Sequence, residues 1–135
     1  MAPALLQDFV AALGDSAWRV RVEAAIVLGR AALAGATPAL LAALNDEYWQ
    51  VRKEAIVALG KLASRAAEPQ LLNFLSNGNA DLRRASAYAL GQLGGSRSVA
   101  ALPALEHDPD VEVRKAARHA LAALQAQPAS SERHN

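Results

Sequence analysis

A single pattern governs what this chain can fold into: its motifs return every 31 residues. Val20-Arg21, Val51-Arg52, Leu82-Arg83 and Val113-Arg114 are spaced by that step. So are Leu28-Gly29, Leu59-Gly60, Leu90-Gly91 and Leu121-Ala122, and so is the column Asp15, Asp46, Asn77 and Asp108. Independent columns agree on one period with no insertion. A fixed period of this size marks a repeat architecture, in which each unit is a supersecondary element that buries its apolar face only against its neighbours.

Each unit reads as two helices. Pro38 follows Thr37 and Pro69 follows Glu68, the pattern of a capping residue and a proline in the first turn. The short helices that follow carry Leu40, Leu41 and Leu44, then Leu71, Leu72, Phe74 and Leu75; Leu5, Leu6, Phe9 and Val10 fill the same slot at the start of the chain. The Asp column then marks a turn, with Asp108-Pro109 as a cap and first-turn proline. A longer helix runs from about Trp18, Trp49, Ala80 or Asp110 through the Leu-Gly pair. Four pairs, eight helices in all, therefore occupy residues 3–126 as one domain, in units of about 3–33, 34–64, 65–95 and 96–126. Residues 127–135 are a polar tail, expected to be disordered. Pro103 departs from the register, sitting several residues into its helix, so that helix is expected to start late or kink.

Composition agrees with an all-α chain and excludes several functions. Hydrophobic residues make up 53% and are mostly Ala and Leu, with aromatics at 4%; small side chains let helices approach closely. The 14 basic and 13 acidic residues leave a net charge of +1, so no electrostatic footprint for nucleic acid or an anionic membrane is present. With no Cys there is neither a disulfide framework nor a thiolate metal site. No apolar run approaches the roughly 18 residues that span a bilayer, and Met-Ala-Pro-Ala-Leu-Leu lacks the positive start of a signal peptide. A cytoplasmic protein is expected.

A helical wheel at about 100° per residue separates the faces of the long helices. Columns 24, 27, 28 and 31 fall within about 80° of Val20 and are small or apolar in every unit, which makes them the core face. The opposite arc changes freely, as in Val22, Lys53, Arg84 and Lys115, or Ile26, Val57, Tyr88 and His119. Such positions, left free by the repeat, are where a solenoid can encode a partner. Glycine inside a helix costs about 1 kcal/mol against Ala, so Gly29, Gly60 and Gly91 point to close helix approach. Ala122 and Arg118, which replace Gly and a small or apolar residue in the last unit, fit the end of the stack.

The pattern Asp-x5-Arg, then Ala-rich sequence, then Leu-Gly resembles HEAT-like repeats, and is most similar to the subclass named for phycobilisome lyases. Asp46 to Ala55, continued through Ala58-Leu59-Gly60, carries it most fully. The resemblance covers residues 3–126 and extends to artificial repeat proteins built on the same 31-residue unit. It implies a right-handed α-α superhelix whose second helices line the concave surface. The free columns then become that surface: Trp18, Arg19, Val22, Glu23, Ile26 and Arg30, followed by Trp49, Gln50, Lys53, Glu54, Val57 and Lys61. The later units add Ala80, Asp81, Arg84, Tyr88 and Gln92, then Val111, Glu112, Lys115 and His119. These motifs specify fold far better than function.

Arg21, Arg52, Arg83 and Arg114 form a regular row that a phosphate-tracking protein could display. Each has an Asp or Asn six residues earlier (Asp15, Asp46, Asn77, Asp108), so they read instead as a structural ladder of the HEAT type. Asn77 lacks the acid, and its rung is expected to be the weak one. Glu23 and Glu54 lie on adjacent helices, but nothing nearby tunes them for acid–base work. His107, His119 and His134 have no metal-pair spacing, and Gly94-Gly95 follows a helix rather than opening one after a strand. No catalytic constellation, metal site or cofactor is expected, and the chain reads as no enzyme.

Trp18 and Trp49 occupy one column at the start of adjacent long helices. Either they form an exposed contact strip with Ile26, Val57 and Tyr88, or they fold back onto the core and cover the turns. The leading reading is a scaffolding module that holds a partner protein, a peptide or a second copy of itself on the concave face. Its contact residues are Trp18, Arg19, Val22, Ile26, Trp49, Gln50, Lys53, Val57, Arg84, Tyr88, Lys115 and His119. The lyase resemblance adds an accessory role in bilin handling as an alternative. Nucleic-acid binding in the concavity ranks last, because of the balanced charge.

Overall fold

The computed structural model describes residues 3–127. Eight α-helices run through them: α1 (Pro3–Ala12), α2 (Trp18–Arg30), α3 (Thr37–Ala43), α4 (Trp49–Lys61), α5 (Glu68–Phe74), α6 (Ala80–Leu93), α7 (Ser96–Ala101) and α8 (Val111–Gln125). Short 3-10 turns, Ala34–Ala36 and Arg65–Ala67, lead into α3 and α5. The described residues contain no strand. Of the expected polar tail only Gln127 is described, and it is exposed; residues 128–135 lie outside the described residues.

The long helices α2, α4, α6 and α8 pack side by side in chain order, and each carries the short helical segment of its own unit as a second layer. The result is an all-α, HEAT-like superhelix. Its core follows from the repeat. Val51, Leu82 and Val113 are fully buried, as are Leu28, Leu59 and Leu90 about two turns further along the same face. Column 25 joins them: Ala25, Ile56 and Ala87 are fully buried, whereas Arg118 in the last unit is exposed. The glycines set the spacing. A Cβ on Gly29 would lie 2.8 Å from the backbone Cα of Ala58, and one on Gly91 would lie 2.8 Å from that of Ala120. Gly60 meets Ala89 in the same way, at 2.9 Å from its Cβ. Each long helix thus touches the next almost backbone to backbone, which explains the Gly and Ala columns.

Three local expectations are corrected. Thr37 and Glu68 are not caps but the first residues of α3 and α5. Their side chains reach across the stack instead: Thr37 Oγ1 lies 2.8 Å from Ser64 Oγ, and Glu68 accepts a hydrogen bond from Ser98 Oγ at 3.1 Å. Asp108-Pro109 precedes the cap of α8, which is Asp110, accepting from the N–H groups of Glu112 (2.8 Å) and Val113 (3.1 Å). The helix before Pro103 does not start late. It runs from Ser96 to Ala101 and then tightens into the 3-10 stretch Leu102–His107, because proline disfavours continuation of the α-helix through the residue before it.

Candidate functional site

The arginine row and the Asp column interlock between units. Arg21 Nε and Nη2 donate to the two carboxylate oxygens of Asp46 at 2.7 and 3.1 Å, and Nη1 donates to the Asp15 backbone carbonyl at 2.7 Å. Arg83 repeats the arrangement with Asp108 at 2.8 and 3.0 Å and with the Asn77 carbonyl at 2.8 Å. The residue six positions earlier therefore supplies its backbone, not its carboxylate; the acid comes from the following unit. Each member of the Asp column also accepts the N–H two residues on, as Asp46 does from Tyr48 at 2.9 Å. That closes the turn before the long helix.

The rung between Arg52 and Asn77 is incomplete. Arg52 donates to the Asp46 carbonyl at 2.9 Å, but its Nε is buried without a partner. Arg114 donates to the Asp108 carbonyl at 2.6 Å. In the complete rungs the acids respond as expected. Burial would raise the Asp46 carboxyl, but the hydrogen bonds from Arg21 and the Tyr48 N–H outweigh it and hold it below the usual carboxylate range. At Asp108 the hydrogen bond from Arg83 is the largest influence, and it too is lowered despite burial. The same bonds raise Arg21 and Arg83. These groups are committed to holding units together.

The two tryptophans do not form one exposed strip with Tyr88. Both are half-buried and pack against the core. The Trp18 ring stacks on Tyr48, with centroids 5.5 Å apart and planes 12° from parallel. The Arg19 guanidinium lies 4.9 Å from the Trp18 ring centre, and that of Arg21 5.7 Å from the ring centre of Tyr48. Trp18 is thus covered by Tyr48 and Arg19, while Tyr48 itself stays 39% exposed. Tyr48 escapes a wheel of the long helix because it precedes α4, in the slot held by Ala17, Asn79 and Asp110. Its signal is that an aromatic stands where other units place small or polar residues. Val22 also packs on the core. Gln50 is half-buried, and its Oε1 has no partner. Ile26 lines a narrow cleft of about 20 Å³ beside Gly29 and Val57.

Half of the expected contact residues do converge. Lys53, Val57, Arg84, Tyr88, Lys115 and His119 line one open groove of about 520 Å³ across α4, α6 and α8, together with Glu54, Ala85, Glu112 and Ala116. Tyr88 is 49% exposed and stacks on His119, with ring centres 5.3 Å apart and planes 16° from parallel. The missed floor residues Ala85 and Ala116 belong to the column that holds Glu23 and Glu54 in the first two units. The switch from Glu to Ala is legible in the repeat and opens an apolar floor beneath Tyr88. Around it each cation has an acid nearby: Lys53 and Glu54 at 3.6 Å, Arg84 and Asp81 at 3.1 Å, Lys115 and Glu112 at 3.5 Å. Among the described residues no three His, Cys, Asp or Glu side chains are grouped to hold a metal ion, and no helix is long and apolar enough to cross a membrane.

Fold and ladder together define an α-solenoid of stacked helix pairs. The HEAT-repeat family matches residues 37–122, and the chain belongs to it. No curated protein matches the sequence. Among solved structures, human deoxyhypusine hydroxylase in complex with glycerol is similar at 30% identity, with a TM-score of 0.75 over 90% of this chain and 44% of that one. An engineered protein is similar at 24% identity and a TM-score of 0.70, over 95% of this chain and 65% of the other. The complex of CpcE and CpcF of phycocyanin lyase from Nostoc sp. PCC7120 is similar at 24% identity and a TM-score of 0.63, over 98% and 68%. That likeness of fold agrees with the lyase-type resemblance of the repeat. The chain spans less than half of the hydroxylase. The reading of the chain as no enzyme is corrected: a hydroxylase stands among its structural relatives, at 30% identity over 90% of the chain.

Proposed function

We propose that the chain is a protein-interaction module whose contact site is the groove between α4, α6 and α8, and that it takes an extended peptide segment of a partner protein. The observation that carries this reading is Tyr88, half exposed above the apolar floor of Ala85 and Ala116 and held flat against His119. A pre-stacked aromatic loses little freedom on contact, and tyrosine is enriched among the residues that dominate binding energy. Charges of both signs on the rim favour a peptide of mixed charge over a polyanion.

The test is a peptide library selected on the immobilised protein, followed by calorimetry on the winners. Tyr88→Ala is expected to weaken the selected peptides at least about 30-fold, the scale of a 2 kcal/mol hot spot, with little change in melting temperature. Trp49→Ala is expected to do the reverse, because Trp49 packs on the core. Peptides that bind wild type and the Tyr88→Ala variant alike would place the contact site elsewhere.

A further inference from the structure

The junction whose rung lacks an acid is also the junction lined with amides. Where the first and second units meet, an open pocket lies beside Asp46, and Gly14, Ala39 and Ala42 are among its lining residues. One period on, between the second and third units, the same pocket recurs at about 230 Å³, and the equivalent positions are Asn77, Asn45, Gln70 and Asn73. A further period on they are Asp108, Ser76, Ala101 and Ala104. The amides are thus gathered at one junction, and the repeat does not require them there.

The donors at this junction have lost their acceptor. Arg52 is held by Nη1, which donates to the Asp46 carbonyl at 2.9 Å. Its Nε–Nη2 edge, the edge that grips a carboxylate in Arg21 and Arg83, has no partner among the described residues, and Nε is buried. Asn77 cannot supply one. Its Oδ1 accepts the Asn79 N–H at 2.8 Å, as Asp46 Oδ1 accepts that of Tyr48. What remains of the amide is Nδ2, a donor in the place where Asp46 and Asp108 present Oδ2 to an arginine Nε. Turning the amide over would set its NH2 against the Asn79 N–H. Donor therefore meets donor, and the Arg52 guanidinium has no counter-ion in its rung. Gln70 is uncommitted as well: its Oε1 is buried without a partner, so its amide can turn Nε2 to a bound acceptor without breaking a bond at that oxygen.

We propose that this junction binds a carboxylate from outside the fold, which takes the part of the missing aspartate beside Arg52. Its oxygens accept from Arg52 and from Asn77 Nδ2, and the rest of the ligand lies among Asn45, Gln70 and Asn73 in the pocket that Asn77 also lines. The preference for a carboxylate follows from the neighbouring rungs, where the same arginine edge holds the two oxygens of an acid at 2.7–3.1 Å. A single unpaired cation favours a monoanion over a dianion, whose second charge would go unmatched. The site lies at the ends of α3 and α5 and shares no lining residue with the peptide groove.

Nuclear magnetic resonance titration of the isotope-labelled full chain tests this, at constant low ionic strength. Propionate stands for a free acid and N-acetylglycylglycine for a chain terminus; the tighter of the two names the source. Saturable shifts in the millimolar range are expected at the Arg52 Nε–H and at the side-chain amides of Asn45, Asn73 and Asn77. Asn77→Asp supplies the acid from within the chain and is expected to weaken binding at least about 10-fold, because the ligand would meet a second carboxylate. That variant completes a rung, so its loss of binding does not come from unfolding. Chloride and phosphate at matched ionic strength are expected to leave these signals in place. Shifts that never saturate for either acid, equal binding by Asn77→Asp, or an equal response to chloride or phosphate would each overturn the proposal.

Discussion

Replacing Asn77 by Asp should complete the one deficient rung and stabilise the fold. Arg21 and Arg83 each place two N–H groups on a carboxylate at 2.7–3.1 Å, whereas Arg52 keeps its Nε buried and unpaired. Asn77 already accepts the Asn79 N–H at 2.8 Å, as Asp46 and Asp108 accept theirs, so an Asp inherits the turn without rearrangement. Hydrogen bonds to charged groups contribute about 1.5–3 kcal/mol each, but desolvating a new carboxylate in a partly buried site offsets much of it. The net expectation is a gain of about 1–2 kcal/mol. For 135 residues this corresponds to a rise of about 4–7 °C in Tm. Differential scanning calorimetry at neutral pH measures it. The gain should disappear in an Arg52→Gln background and fade as the pH drops and the new carboxyl protonates. An unchanged or lowered Tm, or a gain that persists without Arg52, would refute the ladder as the source of cohesion between units.

Gly29→Ala should destabilise by about 1–3 kcal/mol by overpacking, despite Ala's better helix propensity, because the new Cβ meets the backbone Cα of Ala58 at 2.8 Å; urea denaturation reads this directly. Ser86→Ala should stabilise by about 1 kcal/mol, since Ser86 Oγ is buried without a partner in a column that is Ala in the other units. The carboxyls of Asp46 and Asp108 are held below their ordinary range. Their stabilisation is therefore fully present above the unfolded-state value of about 3.9 and is lost as pH falls through the lowered folded values. Urea midpoints between neutral pH and pH 2 should show that fall, and Asp108→Asn should flatten it.

The architecture was legible because a repeat displays each structural demand several times. Gly29, Gly60 and Gly91 announce a backbone contact that no single glycine could. The ladder was half legible. Arg21 and Asp46 both stand out as columns, but a pattern read within one unit couples Arg21 to Asp15, six residues back, while the carboxylate that reaches it belongs to the next unit, 25 residues on. The groove was legible as a set of columns and not as a place. Whether Trp18 or Tyr88 is presented depends on how side chains cross between helices. Tyr48 decides it for Trp18 by stacking on its ring from a position ahead of α4, outside any helical wheel. Pro103 was visible as a break, but the response of the helix, tightening into 3-10 turns at Leu102, depends on the packing of Leu102 and Leu105 into the core.

The groove residues can vary because the scaffold does not depend on them. Approach between long helices is fixed by Gly–Ala contacts on one face and by arginine–aspartate rungs at the helix starts, and neither uses the columns of Val57 or Ala85. Substitution in those columns changes chemistry without changing spacing. In this chain that freedom is used unevenly. The first two units keep Glu23 and Glu54 in the column that forms the groove floor further along, and they keep their tryptophans on the core. The last two place Ala85 and Ala116 in that column, and Tyr88 and His119 beside it. The groove thus spans the three units that run to exposed Arg118, with its Ala floor in the last two, and the first unit, where Leu5 and Val20 are exposed, lies outside it.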